Sequence, residues 1–363
     1  MLTAYNSDVS GDVLLRKGDV PSLEINVFSD SMIYAALLQP GEVEYEPEPE
    51  FEDGKLIPDL AIPFDAMAKM NVSVDIDIGE LKRDTLHLRD VELDAVLRDG
   101  ALEISNAGFK ARSGALVARG KLEPAGESGS VSIELVARQF APGMTELNAD
   151  LALIGDLDIN LQSTGTDLRT LFGNTDGVVF LNTRGGRVTE NRVIQALYGD
   201  VLQELLTTIN PFRTTDPYTD FECIVVPLQF DDGKVTSVPS AFITTSKISL
   251  VSTASIDLKT EDLLMAFRTT PRRALSVSAG ELVNPFVQVV GTLGEPRLAV
   301  DERGVLLSGG AAVATGGLSL VARGLWDRLS RAGNPCKQTA DAAIEELGER
   351  FPQLTLEGLG RVE

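Results

Sequence analysis

The stretch Val72-Ser73-Val74-Asp75-Ile76-Asp77-Ile78 places a β-branched residue at every second position and a polar one between. Successive side chains of an extended strand point to opposite faces, so period two means one apolar face and one wet face. That is the pattern of an antiparallel sheet with one solvated side. The same alternation returns at Val91-Glu92-Leu93, Val131-Ser132-Ile133-Glu134-Leu135, Leu157-Asp158-Ile159-Asn160-Leu161 and Ile256-Asp257-Leu258.

Between these segments lie turn signals. Asp-Gly pairs occur at Asp53-Gly54, Asp99-Gly100, Asp176-Gly177 and Asp232-Gly233. Asp-Gly suits a two-residue hairpin because both central residues of a type I′ turn need positive φ. The stretch from Val91 to Ile104 therefore reads as strand, turn, strand, and Gly114–Leu122 and Val131–Ala137 as the next two strands. The expected fold is mostly β: a long meander of short antiparallel strands at roughly ten-residue spacing.

A few helices are expected to interrupt it. Thr166 is placed to cap a short turn over Asp167–Phe172. Val193, Ile194, Leu197, Tyr198, Val201, Leu202, Leu205, Leu206 and Ile209 form one helical stripe, predicting a helix of about 20 residues over 189–209 that Asn210-Pro211 ends. Short helices are also predicted over Thr260–Leu264, over the amphipathic Gly316–Leu329 with Trp326, and over the acidic Gln338–Phe351. Acidic, Pro-rich Pro40–Asp53 reads as a solvated linker.

Composition narrows the function. The 363 residues are 43% hydrophobic and 24% charged, with a net charge of -22, which marks an ordered chain that repels phosphate backbones. No nucleic-acid partner is expected. The sole histidine, His87, is expected to face outward on a strand, and alone it builds neither a His-based metal site nor a serine-type triad. No P-loop, GxSxG or HExxH motif is present, so no enzyme, metal or cofactor is predicted. Cys223 and Cys336 fit no metal spacing; they read either as a pair or as two buried thiols. Met1–Lys17 has no apolar signal region, and no stretch of eighteen apolar residues predicts a transmembrane helix. Period two does not separate a closed sandwich or barrel from a long sheet bent into an open trough.

A segment order bears on that choice. Leu56-Ile57-Pro58-Asp59-Leu60 with Pro63-Phe64-Asp65-Ala66-Met67 is followed by Leu86-His87-Leu88-Arg89-Asp90-Val91-Glu92-Leu93 and Leu97-Arg98-Asp99-Gly100-Ala101-Leu102. Gly114–Gly120, Phe221-Glu222-Cys223, Phe230–Val235, Gly291-Thr292-Leu293-Gly294-Glu295-Pro296 and Asn334-Pro335-Cys336 then come in turn. This order resembles the AsmA family from about Leu56 to Cys336. The resemblance implies strands curling into an open, taco-like apolar groove, over a domain spanning 56–308 with the helix near 189–209 inserted. Residues 1–39 would then be N-terminal strands continuing a missing N-terminal half, 40–55 the acidic linker and 309–363 a C-terminal helical tail.

The resemblance further implies a non-enzymatic envelope protein of the Gram-negative periplasm. In full length it would be anchored in the inner membrane, with the anchor absent from this chain. It would carry phospholipid between inner and outer membrane and serve outer-membrane biogenesis and membrane homeostasis. The partners implied are phospholipid acyl chains, with membrane or membrane-protein contact at the ends. One strand face would line the groove: Val72, Val74 and Ile76; Val91 and Leu93; Ile133 and Leu135; Ile159 and Leu161; Ile256 and Leu258. Leu318, Leu320, Leu325 and Trp326 would make the membrane or partner contact. The alternative is a structural or assembly factor with no lipid conduit, in which the same stripes are packed core.

Overall fold

The computed structural model describes residues 2–4, 7–33, 55–83, 86–111, 114–126, 128–140, 154–189, 218–238, 240–245, 248–271, 286–300 and 335–350. The expected linker over Pro40–Asp53, nearly all of the helix over 189–209 and the segment Gly316–Leu329 with Leu318, Leu320, Leu325 and Trp326 lie outside them.

The protein is mostly β, and its strands follow one another as a meander. The chain divides into two compact units, residues 1–53, 57–150 and 155–176 in one, and 54–56, 151–154 and 177–363 in the other. In the first unit run β1 (Leu2–Ala4), β2 (Ser7–Arg16), β3 (Ser22–Ile33), β4 (Asn71–Arg83), β5 (Leu86–Arg98), β6 (Ala101–Lys110), β7 (Ala115–Ala125), β8 (Ser128–Phe140) and β9 (Gly155–Gly165). Each pairs with the next in order. Two short helices, α1 (Phe64–Met67) and α2 (Leu168–Gly173), belong to the same unit.

Three expectations need correction here. The strands are not short: β4, β5 and β8 each have 13 residues. The meander is not wholly antiparallel, because β3 and β4 run parallel, from Ser22 opposite Asn71 to Ile33 opposite Lys82. Parallel neighbours need a crossover connection of about a dozen residues or more, and the chain between Ile33 and Asn71 exceeds that. The short-turn expectation at 166–172 shifts by one residue. Asp167, not Thr166, caps α2, its carboxylate accepting from the Thr170 N–H while the Thr170 hydroxyl accepts from the Asp167 N–H.

The second unit holds β10 (Asp176–Thr183), β11 (Gly186–Thr189), β12 (Tyr218–Asp231), β13 (Lys234–Ser237), β14 (Ala241–Thr245), β15 (Ile248–Asp257), β16 (Asp262–Pro271), β17 (Phe286–Thr292) and β18 (Pro296–Val300). β10 and β11 lie end to end along one side of β12, and β13 and β14 along the other. β15, β16, β17 and β18 then follow antiparallel. Asp99-Gly100 and Asp232-Gly233 are hairpin turns with φ of 51° and 81°, and 49° and 76°. Asp176-Gly177 is not a turn but the start of β10, with Gly177 opposite Phe230. The helix expected over Thr260–Leu264 is instead a turn leading into β16. Thr189, the expected start of the helix over 189–209, is instead the last residue of β11. Among the described residues the longest helix is α3, Pro335–Arg350, of 16 residues, which meets the expectation of a C-terminal acidic helix.

That helix completes a core. Cys336, Ala340, Ala343, Ile344 and Leu347 recur at helical spacing and pack on Val178, Phe180, Cys223, Val225, Phe242 and Val251. Cys223 and Cys336 are joined as a disulfide across 113 positions of sequence. A second cluster, Leu250, Leu263, Phe267 and Val289, lies in the same unit. Among the described residues both clusters of buried apolar side chains belong to this second unit.

Candidate apolar binding face

The first unit has no such cluster among its described residues, although its sequence alternates as strictly. The register shows where its aliphatic residues go. Residues directly opposite one another in a ladder share a face. Leu15, Leu23, Val72, Leu97, Leu102, Leu122 and Val131 form one row across β2–β8. Val13, Ile25, Val74, Ala95, Ile104, Gly120, Ile133 and Leu161 form the next, and Val27, Ile76, Leu93, Ala107, Ala118, Leu135 and Ile159 a third. Ile78 opposite Val91 adds to a fourth. The bulges in β5–β6 and β6–β7 preserve this face, since each inserts a residue without reversing the rows beyond it.

The face is continuous and only partly covered. Val13 and Leu15 are 70% and 60% exposed, Ile133 is 44% exposed, and Val72, Val74, Ile76, Val91, Leu93, Leu135, Ile159 and Leu161 are all half-buried. A packed interior would bury such residues almost completely. At about 4.8 Å between strands, β2–β9 carry the rows over roughly 34 Å. An acyl tail occupies half of a bilayer's hydrocarbon core, about 15 Å, so the face exceeds one tail in both directions. In the middle, Ala95, Ala107, Ala118 and Gly120 replace bulky residues and leave the surface lower there than at Ile76–Leu93 or Leu135–Ile159.

One end of the face is closed by the two short helices. Gly129, opposite Pro124 and Gly165, continues the apolar rows beyond Val131. A Cβ on Gly129 would lie 2.4 Å from Cζ of Phe64, so α1 rests its aromatic ring on the bare backbone there. A Cβ on Gly165 would meet the Thr170 hydroxyl at 2.5 Å and the Leu171 nitrogen at 2.6 Å, so α2 sits equally close on β9. Ser163, the one hydroxyl ending the first row, donates to the Leu171 carbonyl and is thereby satisfied.

The opposite face of the same sheet is polar and acidic. Asn26, Asp75, Asp94 and Asn106 form one row, and Asp77 stands opposite Glu92. Lys121 pairs with Glu103 at 2.9 Å, and Lys110 with Asp90 at 2.9 Å. Near the end away from α1, Arg138 grips both oxygens of Asp158 at 3.0 and 2.6 Å. Burial pushes the Asp158 carboxyl up to about 6, against the pull of that guanidinium and aided by nearby Asp156. At the N-terminal edge, the Asp8 carboxyl is held below the usual range chiefly by the Ser31 N–H.

Of the residues expected to line a groove, the structure brings Val72, Val74, Ile76, Val91, Leu93, Ile133, Leu135, Ile159 and Leu161 onto this one face, with Ile76 opposite Leu93, Ile133 opposite Leu161 and Leu135 opposite Ile159. Ile256 and Leu258 lie in the other unit, Ile256 against the Leu250 cluster and Leu258 buried. Sequence reasoning passed over Leu23, Ile25 and Val27, whose alternation in Leu23-Glu24-Ile25-Asn26-Val27 carries the same signal. His87 is exposed, its Nε2 3.5 Å from Glu80. Among the described residues no His, Cys, Asp or Glu group is arranged to hold a metal ion, and no helix is long and apolar enough to cross a membrane.

A model of the AsmA family matches residues 57–239, from the approach to α1 through β13. The chain belongs to the AsmA family. The match takes in most of the apolar rows, from Val72 on β4 to Leu161 on β9, and membership of the AsmA family points to an envelope-related role. Comparison with curated proteins and with solved structures returned no match.

Proposed function

We propose that this AsmA-family protein is a lipid carrier of the bacterial envelope, moving phospholipid between inner and outer membrane along the apolar face of β2–β9. The observation that carries the reading is a continuous aliphatic face, several strands wide, left half-exposed in a unit with no buried apolar cluster among its described residues. Exposed apolar patches of this extent on a folded protein mark interaction sites. Aliphatic side chains supply about 25 cal/mol for each Å² of acyl surface they take from water, and need no directional contact. Head groups would stay in water at the rim. Transfer of this kind breaks no covalent bond, so the reading requires no catalytic group, metal or cofactor.

One observation supports an extracytoplasmic setting: the Cys223–Cys336 disulfide is of a kind that persists in oxidising compartments such as the periplasm. Another supports the choice of face: the acidic reverse face disfavours contact with anionic head groups and leaves the aliphatic face as the lipid-facing side.

The test is native mass spectrometry with lipid extraction on protein purified from a bacterial envelope. Stoichiometric phospholipid, lost when Ile76, Leu93 and Ile133 are each changed to Asp in a protein that still folds, supports the proposal. Folded wild-type protein free of lipid overturns it and favours a scaffold or assembly factor.

A further inference from the structure

At one end the acidic reverse face changes sign. The register sets Arg89 opposite Lys110, Lys110 opposite Ala115 and Ala115 opposite Arg138, one row across β5–β8 at the end away from α1. The neighbouring row, Phe109, Leu116 and Ala137, belongs to the aliphatic face, so this one stands on the reverse. Like charges directly opposite one another, as Arg89 and Lys110 are, cost stability. Farther along the same face a lysine meets an acid instead, Lys121 against Glu103.

The three cations border an open recess of about 360 Å³, lined otherwise by Ala111, Gly114, Ala115 and Gln139. No acid lines it, in a chain of net charge -22. Its floor is low because Ala115 is small and because Gly114 lies backbone to backbone on β8, where a Cβ would overlap the Arg138 carbonyl oxygen. Gln139 fixes the edge, with φ of 49° and its N–H donated to the Asp156 carboxylate at 2.8 Å. Arg138 is fixed as well. Its bonds to Asp158 and to the Ala137 carbonyl use three of a guanidinium's five N–H groups and leave the others for a further acceptor. Lys110 is held at 2.9 Å by Asp90, which Arg89 attracts only through space. Lys110 and Arg138 lie two strands apart, about 10 Å, a gap that two long cationic side chains can close on one oxyanion.

We infer that this recess is an anion site that takes a phosphate group, with Arg138 as its fixed anchor and Arg89 and Lys110 closing on it from the other side. The bound oxyanion offsets the repulsion between Arg89 and Lys110 and accepts the N–H groups that Asp158 and Asp90 leave. The phosphate belongs either to a lipid head group at a membrane surface or to a free anion. The site stands on the face opposite the aliphatic rows and does not rest on what those rows carry.

Two probes test this on the full chain, with circular dichroism confirming that each variant folds. Titration calorimetry reads inorganic phosphate. Flotation reads vesicles of phosphatidylglycerol and phosphatidylcholine in equal parts against vesicles of phosphatidylcholine alone. Arg89→Gln combined with Lys110→Gln removes two of the charges, whereas Ala115→Leu keeps every charge and fills the recess. Each is expected to weaken binding of the probe that wild type holds by about tenfold or more. Inorganic phosphate bound in this way assigns a free anion, and charged vesicles bound in preference to neutral ones assign a head group. Wild type that shows neither, or binding indifferent to either variant, overturns the inference.

Discussion

Ile76 stands directly opposite Leu93 across β4 and β5, with Asp75 opposite Asp94 on the reverse side of the same two strands. The two pairs define the sheet's division: aliphatic against aliphatic on one face, acid against acid on the other. Like charges directly opposite cost some stability, so the acidic side is tolerated because it is wet. The aliphatic side is half-exposed, which makes it a surface and not an interior.

That distinction has a measurable consequence. Ile133→Asp, at a residue 44% exposed, is expected to cost about 1 kcal/mol or less in denaturant unfolding. Val225→Asp, at a residue fully buried under α3, is expected to cost more than about 4 kcal/mol and to prevent folding of the second unit. Comparable losses at both positions would mean that the first unit's face is core.

Phe64 lies on Gly129 so closely that no side chain fits between them. Gly129→Val is expected to lift α1 off β8, with a loss of about 1–3 kcal/mol in stability. Gly129→Val combined with Phe64→Ala removes the clash and should recover part of that loss, a coupling that a double-mutant cycle reads directly.

The disulfide ties α3 to β12. Replacing both Cys223 and Cys336 by Ala frees a link closing more than a hundred residues and is expected to cost about 2–5 kcal/mol. The first site opened to limited proteolysis should lie near α3. Unchanged stability would mean that the Ala340, Ala343 and Leu347 contacts hold the helix unaided.

Asp158 titrates in an unusual direction. Its carboxyl is raised on folding from an ordinary value near 4 to about 6, chiefly by burial. A group raised in the folded state favours folding when protonated: that contribution is complete below the unfolded value and is lost as pH rises through about 6. Going from about pH 7 to about pH 5, wild type should therefore gain stability relative to Asp158→Asn, as read by urea midpoints at each pH. A relative loss would mean that the Arg138 pair outweighs burial.

Much of the fold was legible because period two is a local signal. Val72–Ile78 alone gives strand and faces, and Asp99-Gly100 gives a turn. What was not legible depends on partners distant in sequence. Alternation carries no direction, so the parallel pairing of β3 with β4 could not be read from Leu23–Val27. Asp176-Gly177 has the same dipeptide as Asp99-Gly100, but its pairing with Phe230 on β12 holds it extended. The union of Cys223 with Cys336 depends on α3 packing across the strands of the second unit, which neither cysteine's neighbours announce. The face itself was visible residue by residue, yet its half-exposure depends on how distant parts of the chain pack, which alternation does not carry.

The most direct test of the central claim is photo-crosslinking with a phospholipid carrying a diazirine at the end of one acyl chain, followed by residue-level mapping. A lipid-carrying face gives adducts on Val74, Ile76, Leu93, Ile133 and Leu161, and none on Ser73, Asp75, Asp94 or Glu134 of the reverse face. Adducts spread equally over both faces, or confined to residues outside β2–β9, would contradict it.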